Sequence, residues 1–157
     1  PNACQVLTAA DVKAVQGEAH SNAKLSTRGA ATQCFYQLPS FVNSISLDLH
    51  REGREYWNEH FERKGEGERE EREREREREL RVKAKAREEE EEGEKEHPPR
   101  RVRGVGDEAF WVGGQMAGSL YVRKGDAVLR VSVGGKGTDD QKIAKTKALA
   151  KKALKRL

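Results

Sequence analysis

Between Glu62 and His97 runs a stretch that no compact core can absorb. It holds 16 acidic and 12 basic residues, net −4, and only Leu80, Val82, Ala84 and Ala86 break its polarity. A segment with so little apolar area to bury cannot offset the entropy of ordering itself. The tract 62–97 therefore reads as an insert, and 1–61 and 98–157 read as the two halves of one domain. The whole chain has 31 Lys and Arg against 27 Asp and Glu, so the remainder keeps 19 basic and 11 acidic residues, net +8. Those 121 residues, 157 less 36, are enough for one modest core.

Inside the tract the charges alternate with period two from Glu71 to Glu79. On a helix this sets opposite charges at i,i+3 (Glu73–Arg76) and like charges at i,i+4 (Glu73–Glu77), and terms of about 0.2–0.5 kcal/mol largely cancel. Glu and Arg are good helix formers, which favours a helix in the first part. Leu80 to Arg87 alternates as an edge strand would, and disorder is the third reading.

The domain halves show clearer periods. Thr8 and Asp11 have the spacing of a capping box, and Gly17 ends the helix they open over Thr8–Gln16. Leu7, Val12 and Val15 are its expected core face. An irregular strand is expected around Ala23–Thr27, and Cys34–Leu38 reads as a strand stopped by Pro39-Ser40. Ile45, Leu47 and Leu49 alternate with Ser46, Asp48 and His50 in a half-buried strand. Tyr56, Trp57, His60 and Phe61 then fall at helical spacing, an amphipathic helix running into the tract. Pro98-Pro99 stops whatever precedes it.

The last third predicts a three-strand meander over Glu108–Val112, Ser119–Lys124 and Val128–Val133. Gly125-Asp126 makes a tight hairpin turn. Leu129, Val131 and Val133 are expected to face inward, and Val128, Arg130 and Ser132 outward. Thr138 and Gln141 repeat the capping box and open a final helix. Its apolar stripe is Ile143, Ala150, Ala153, Leu154 and Leu157, with seven Lys or Arg covering the other side. Antiparallel strands with helices packed on one face make an α+β domain.

Chemistry-bearing patterns are sparse. His20, His50, His60 and His97 are scattered without zinc-ligand spacing, so no metal and no cofactor is expected. There is no Gly-x-Ser-x-Gly elbow. Asp107-Glu108 is a carboxylate pair, but in Gly104-Val105-Gly106-Asp107 the glycines allow a turn whose backbone Asp107 would bond. Gly134-Gly135-Lys136-Gly137-Thr138 lacks phosphate-loop spacing. Nucleic acid is disfavoured, because no aromatic-plus-basic stacking motif accompanies the charge. The basic final helix leaves an anionic surface open as a partner.

No apolar run is long enough to span a membrane. Pro1 opens the numbering in place of Met, which suggests a processed or trimmed chain. Cys4 and Cys34 read as a disulfide closing a loop of about 30 residues, worth roughly 3–4 kcal/mol. Two unrelated buried thiols are the alternative, and lipidation at Cys4 is a weaker one.

Two segments carry a resemblance. Cys4-Gln5-Val6-Leu7-Thr8-Ala9-Ala10-Asp11-Val12 comes first. Gly104-Val105-Gly106-Asp107-Glu108-Ala109-Phe110-Trp111 comes second, followed by Leu120-Tyr121-Val122-Arg123-Lys124-Gly125-Asp126. Together they resemble a group of uncharacterised bacterial secreted proteins and lipoproteins, whose pattern is Cys-x-Leu-Leu-Thr-x-x-Asp-Val and Gly-x-Gly-Asp-x-Ala-Phe/Tyr-Trp. The resemblance covers most of the chain outside the tract. It implies an extracytoplasmic (periplasmic or secreted) α+β domain with bridged cysteines, of an accessory or binding kind, with no catalytic residues to carry over.

The expected function is thus a non-catalytic extracytoplasmic binding or assembly module, not an enzyme, meeting another protein or itself. An accessory subunit of an envelope or extracellular complex fits this description. Tyr56, Trp57 and Phe61 beside the tract, or Phe110 and Trp111, are the candidate contacts, with plain core packing as the competing role for each. Gly104, Gly106, Asp107, Gly125 and Asp126 are the candidate structural turns. The other class is a small-molecule carrier, which requires an internal pocket lined by Tyr36, Leu47, Phe110 and Tyr121. Catalysis would require His50 or His60 to converge with Asp107.

Overall fold

Thr8 and Thr138 open their helices by the same device. Thr8 Oγ1 accepts from the Asp11 amide at 3.1 Å while Asp11 Oδ2 accepts from the Thr8 amide at 2.9 Å. Thr138 and Gln141 repeat the exchange at 3.2 and 3.0 Å. Each box satisfies amides that a helix start leaves without an intrahelical acceptor. The computed structural model describes residues 1–62, 98–114 and 118–157. In it these helices are α1 (Ala9–Gln16) and α3 (Asp139–Leu154), and the single helical turn α2 (Arg54–Trp57) lies between them in sequence.

Seven strands form one antiparallel sheet. They are β1 (Asn22–Arg28), β2 (Ala31–Gln37), β3 (Ile45–His50), β4 (Arg100–Arg101), β5 (Glu108–Val112), β6 (Ser119–Lys124) and β7 (Ala127–Val133). Their order is β1-β2-β3-β7-β6-β5-β4. Two meanders, one from each half of the chain, are thus joined at a central β3–β7 seam running from Ile45↔Val133 to His50↔Val128. The first strand is a regular one of seven residues, and the two-residue β4 lengthens the expected meander to four strands.

The seam fixes the faces. Cys34, Leu47, Val131 and Leu120 lie in one row across β2, β3, β7 and β6, and Tyr36, Ile45 and Val133 lie in the next. Because strand side chains alternate, this set turns one way and its neighbours the other. α3 covers the first face with Leu149, Ala150, Ala153 and Leu154, and α1 adds Val12 beside it. Thr146 is buried in the same interface, its hydroxyl donating to the Lys142 carbonyl at 2.8 Å. Leu149 belongs to the stripe. Leu157 does not: the helix ends at Leu154 and the Leu157 side chain is exposed. Val128, expected outward, is buried, because the corner at Gly53 closes on it and donates its amide to the Asp126 carbonyl at 2.7 Å.

The N-terminal segment is pinned on the helix side. Cys4 and Cys34 form a disulfide with Cα atoms 5.0 Å apart. The Ala3 amide donates to Thr32 Oγ1 at 2.9 Å, and the Tyr36 hydroxyl donates to the Ala3 carbonyl. Burial pushes the Tyr36 phenol up to about 12. From the far end of the chain Arg156 reaches Asp11 at 2.7 Å and donates to the Val6 carbonyl at 3.1 Å, while Lys152 lies 3.6 Å from Asp11. Partial burial opposes the charged form of Asp11. The Thr8 hydrogen bonds and the two cations outweigh it and hold the carboxyl below its ordinary range.

Contacts divide the chain into two units, residues 1–54 with 97–157 and residues 55–96. The described part of the second continues from α2 into a π-helical turn over Asn58–Glu62. There Tyr56 stacks on His60 at 3.9 Å and Trp57 meets Phe61 at 4.5 Å. The expected continuation of this helix, and the readings of the tract, lie outside the described residues.

Candidate binding groove

The centre of the sheet face away from α1 and α3 carries a polar cluster, and Arg130 organises it. Register places Arg130 between Asp48 on β3 and Tyr121 on β6. Its Nε donates to Asp48 Oδ2 at 2.6 Å, and its two terminal nitrogens donate to Ser119 Oγ at 3.1 Å and Ser46 Oγ at 3.0 Å. One guanidinium fork therefore ties β3, β7 and β6 together, using the planar donor array that lysine lacks. Gln33 Nε2 donates to Ser46 Oγ at 3.4 Å, and Ser132 Oγ donates to the Gly118 carbonyl at 2.7 Å. These partners satisfy most of the half-buried polar groups on this face, although Asp48 Oδ1 is buried without a hydrogen-bond partner among the described residues.

At one end of this face the polarity changes. Phe35, Ser46 and Ser132 run out beneath a single turn at Phe41–Asn43, forming a shallow groove of about 410 Å³ closed by Val133, Gly134 and Lys142. Phe35 and Phe41 are in ring contact at 5.8 Å. Phe41 nevertheless stays 62% exposed and Val42 71% exposed. The turn beneath them is held from several sides. Asn43 donates its amide to Ser40 at 2.9 Å, Ser44 to Phe41 at 3.1 Å, and Gly134 to the Ser44 carbonyl at 3.0 Å. Gln16 of α1 donates to the Asn43 carbonyl at 2.8 Å, and Ser44 Oγ accepts from the Leu38 amide at 3.1 Å. Two large apolar side chains are thus presented to solvent by a fixed backbone. The sequence signal for them is an apolar pair between Pro39-Ser40 and Asn43-Ser44, where a turn calls for polar residues.

The glycine-rich corner has a structural use. Gly104 and Gly106 both take positive φ, 84° and 58°. A side chain at Gly106 would also meet the Arg123 carbonyl and Val122 at 2.6 Å. The close approach brings Asp107 over the β6–β7 hairpin, where its Oδ2 accepts from the Gly125 amide at 2.7 Å. The expectation was that Asp107 bonds its own turn; it closes another one. Arg123, almost buried, donates to the Gly125 carbonyl at 3.1 Å and pairs with Glu108 at 3.2 Å and Asp107 at 3.5 Å. Asp126 contributes its carbonyl, to Gly53.

The remaining candidates are dispersed. Trp111 is a core residue on the helix side, whereas Phe110 is half-buried on the other face. Trp57 is buried, and Tyr56 and Phe61 are half-buried. Tyr36 and Leu47 are core residues of the helix side, while Phe110 and Tyr121 share the opposite face, so the four do not line one cavity. His50 stands at the seam, and Asp107 precedes β5, three strands or roughly 14 Å away. His60 belongs to the second unit and His97 lies outside the described residues. Burial lowers the His20 pKa, and its ring meets Tyr36 edge-on at 5.0 Å. Among the described residues no group of three or more His, Cys, Asp or Glu could hold a metal ion.

A second shallow groove of about 450 Å³ lies among Pro98, Pro99, Arg100, Trp111, Gly113 and Asp139. Arg100 of its lining pairs with Asp140 at 2.9 Å, an ion pair that is solvent-exposed and worth little. No helix among the described residues is long and apolar enough to cross a membrane. Comparison with protein-family models, curated proteins and solved structures finds no match to this chain.

Proposed function

We propose that this chain is a non-catalytic extracytoplasmic binding module that meets a partner protein through Phe41, Val42 and the groove beside them. The observation that carries the reading is the pairing of exposure with rigidity. An apolar contact held in place before binding avoids the ordering cost that a flexible loop would incur. The Cys4–Cys34 disulfide supports the compartment, since such bridges persist outside the reducing cytosol. The sequence resemblance to bacterial secreted proteins and lipoproteins points the same way, and an accessory role in an envelope or extracellular complex suits a surface of this size.

The test is affinity capture from the native source with the wild type and with a Phe41→Ser/Val42→Ser double variant, followed by mass spectrometry. A companion retained by the wild type and lost by the variant supports the surface. Equal recovery with both, or wild type recovered alone, overturns it.

A further inference from the structure

The two edges of the sheet are unlike. β4 is two arginines long, which is how proteins blunt an edge against stray pairing. β1 runs for seven residues, every one of them exposed, and among the described residues it pairs only with β2. Leu25, at its midpoint, is 48% exposed on the helix side of the sheet, opposite Cys34. Neither α1 nor α3 covers it. A long edge with an apolar centre is a template for another strand.

We infer that β1 is a homodimer edge: two copies pair antiparallel through Asn22–Arg28, centred on Leu25, and continue the sheet from one subunit into the other. One register of this strand against its own copy sets no like charges opposite each other, and that self-complementarity favours a second copy as the occupant. With Leu25 opposite Leu25, the facing pairs are Lys24–Ser26, Ala23–Thr27 and Asn22–Arg28, and all seven residues of each strand take part. An antiparallel two-fold pairing shifts in steps of two, because only alternate residues turn their backbone groups outward. A step one way sets Lys24 against Lys24, and a step the other way sets Lys24 against Arg28. Like charges directly opposite are destabilising, so both neighbouring registers are disfavoured. A seven-residue edge buries less than a standard interface, so the dimer belongs to the weak class. This inference is independent of the Phe41–Val42 groove.

The residue paired with itself supplies the test. Sedimentation of the wild type up to about 1 mM is expected to show a shift from monomer to dimer, with β1 amides exchanging more slowly as concentration rises. Leu25→Lys and Leu25→Glu, checked for folding by circular dichroism, each oppose like charges and are expected to remain monomeric. An equimolar mixture of the two is expected to form a heterodimer. A wild type that stays monomeric throughout, with β1 exchange independent of concentration, overturns the inference and assigns the edge to a strand from another protein. Dimers that persist in both single variants, or a mixture that stays monomeric, overturn it as well.

Discussion

Asp107 Oδ2 accepts a 2.7 Å hydrogen bond from the Gly125 amide, so the carboxylate that precedes β5 closes the hairpin joining β6 to β7. Arg123 sits under the same turn and bonds to both sides of it. The corner is therefore a clasp between non-adjacent segments. Asp107→Ala is expected to cost about 1.5–3 kcal/mol, the range for a hydrogen bond to a charged group. Gly106→Ala is expected to cost at least as much, since it adds a contact with the Arg123 carbonyl at a backbone angle that L side chains rarely adopt. Urea denaturation of both variants checks this, and wild-type midpoints would contradict it.

The Arg130 fork gives a second prediction. Arg130→Ala leaves Asp48, Ser46 and Ser119 without their shared donor on a half-buried face. Asp48 remains partly exposed, so the loss is expected at about 1–3 kcal/mol, below that for a fully buried pair. Adding Asp48→Asn should recover part of it, and a double-mutant cycle measures the coupling.

Reduction of the Cys4–Cys34 bridge, or Cys4→Ser with Cys34→Ser, is expected to lower stability by roughly 3–4 kcal/mol. The bridge spans 30 residues and anchors the segment that delivers Ala3 to Tyr36. Calorimetry with and without reductant reads the shift. Native material carrying two free thiols would contradict the assignment.

Asp11 predicts an acid dependence. Its folded pKa lies below the ordinary value of 3.8. The stability it contributes is therefore complete above that value and is lost as pH falls through the folded pKa. Asp11→Asn removes this contribution. The gap in stability between wild type and variant should be wide at about pH 6 and narrow toward about pH 3, and urea midpoints at the two pH values report it. A constant gap would sink the assignment.

How much of this was legible follows from which interactions are local. The capping boxes at Thr8 and Thr138 span three residues, and the alternation from Ile45 to His50 lies within one strand, so both could be read directly. The hairpin turn at Gly125-Asp126 is equally local. By contrast, the bond from Asp107 to Gly125 joins residues 18 apart and that from Arg130 to Asp48 residues 82 apart. Only the β3–β7 register and the packing of strands bring those groups together. β1 was faint for another reason: exposed on both faces, it has no burial pattern to leave in its sequence. Phe41 and Val42 look like core by composition, and only the fold shows that they are not.

The seam between β3 and β7 also bears on how the chain reaches this state. Each meander can zip up from hairpins between neighbours in sequence, but the seam must first close the stretch from His50 to Val128. That search, not the hairpins, is the candidate slow step, as it is wherever distant strands must find each other. Its thermodynamic cost grows only as the logarithm of the distance along the chain, and doubling the span adds about 0.6 kcal/mol. The sheet is thus nearly indifferent to how many residues lie between its two halves, which leaves the length of the charged tract free to be set by other demands.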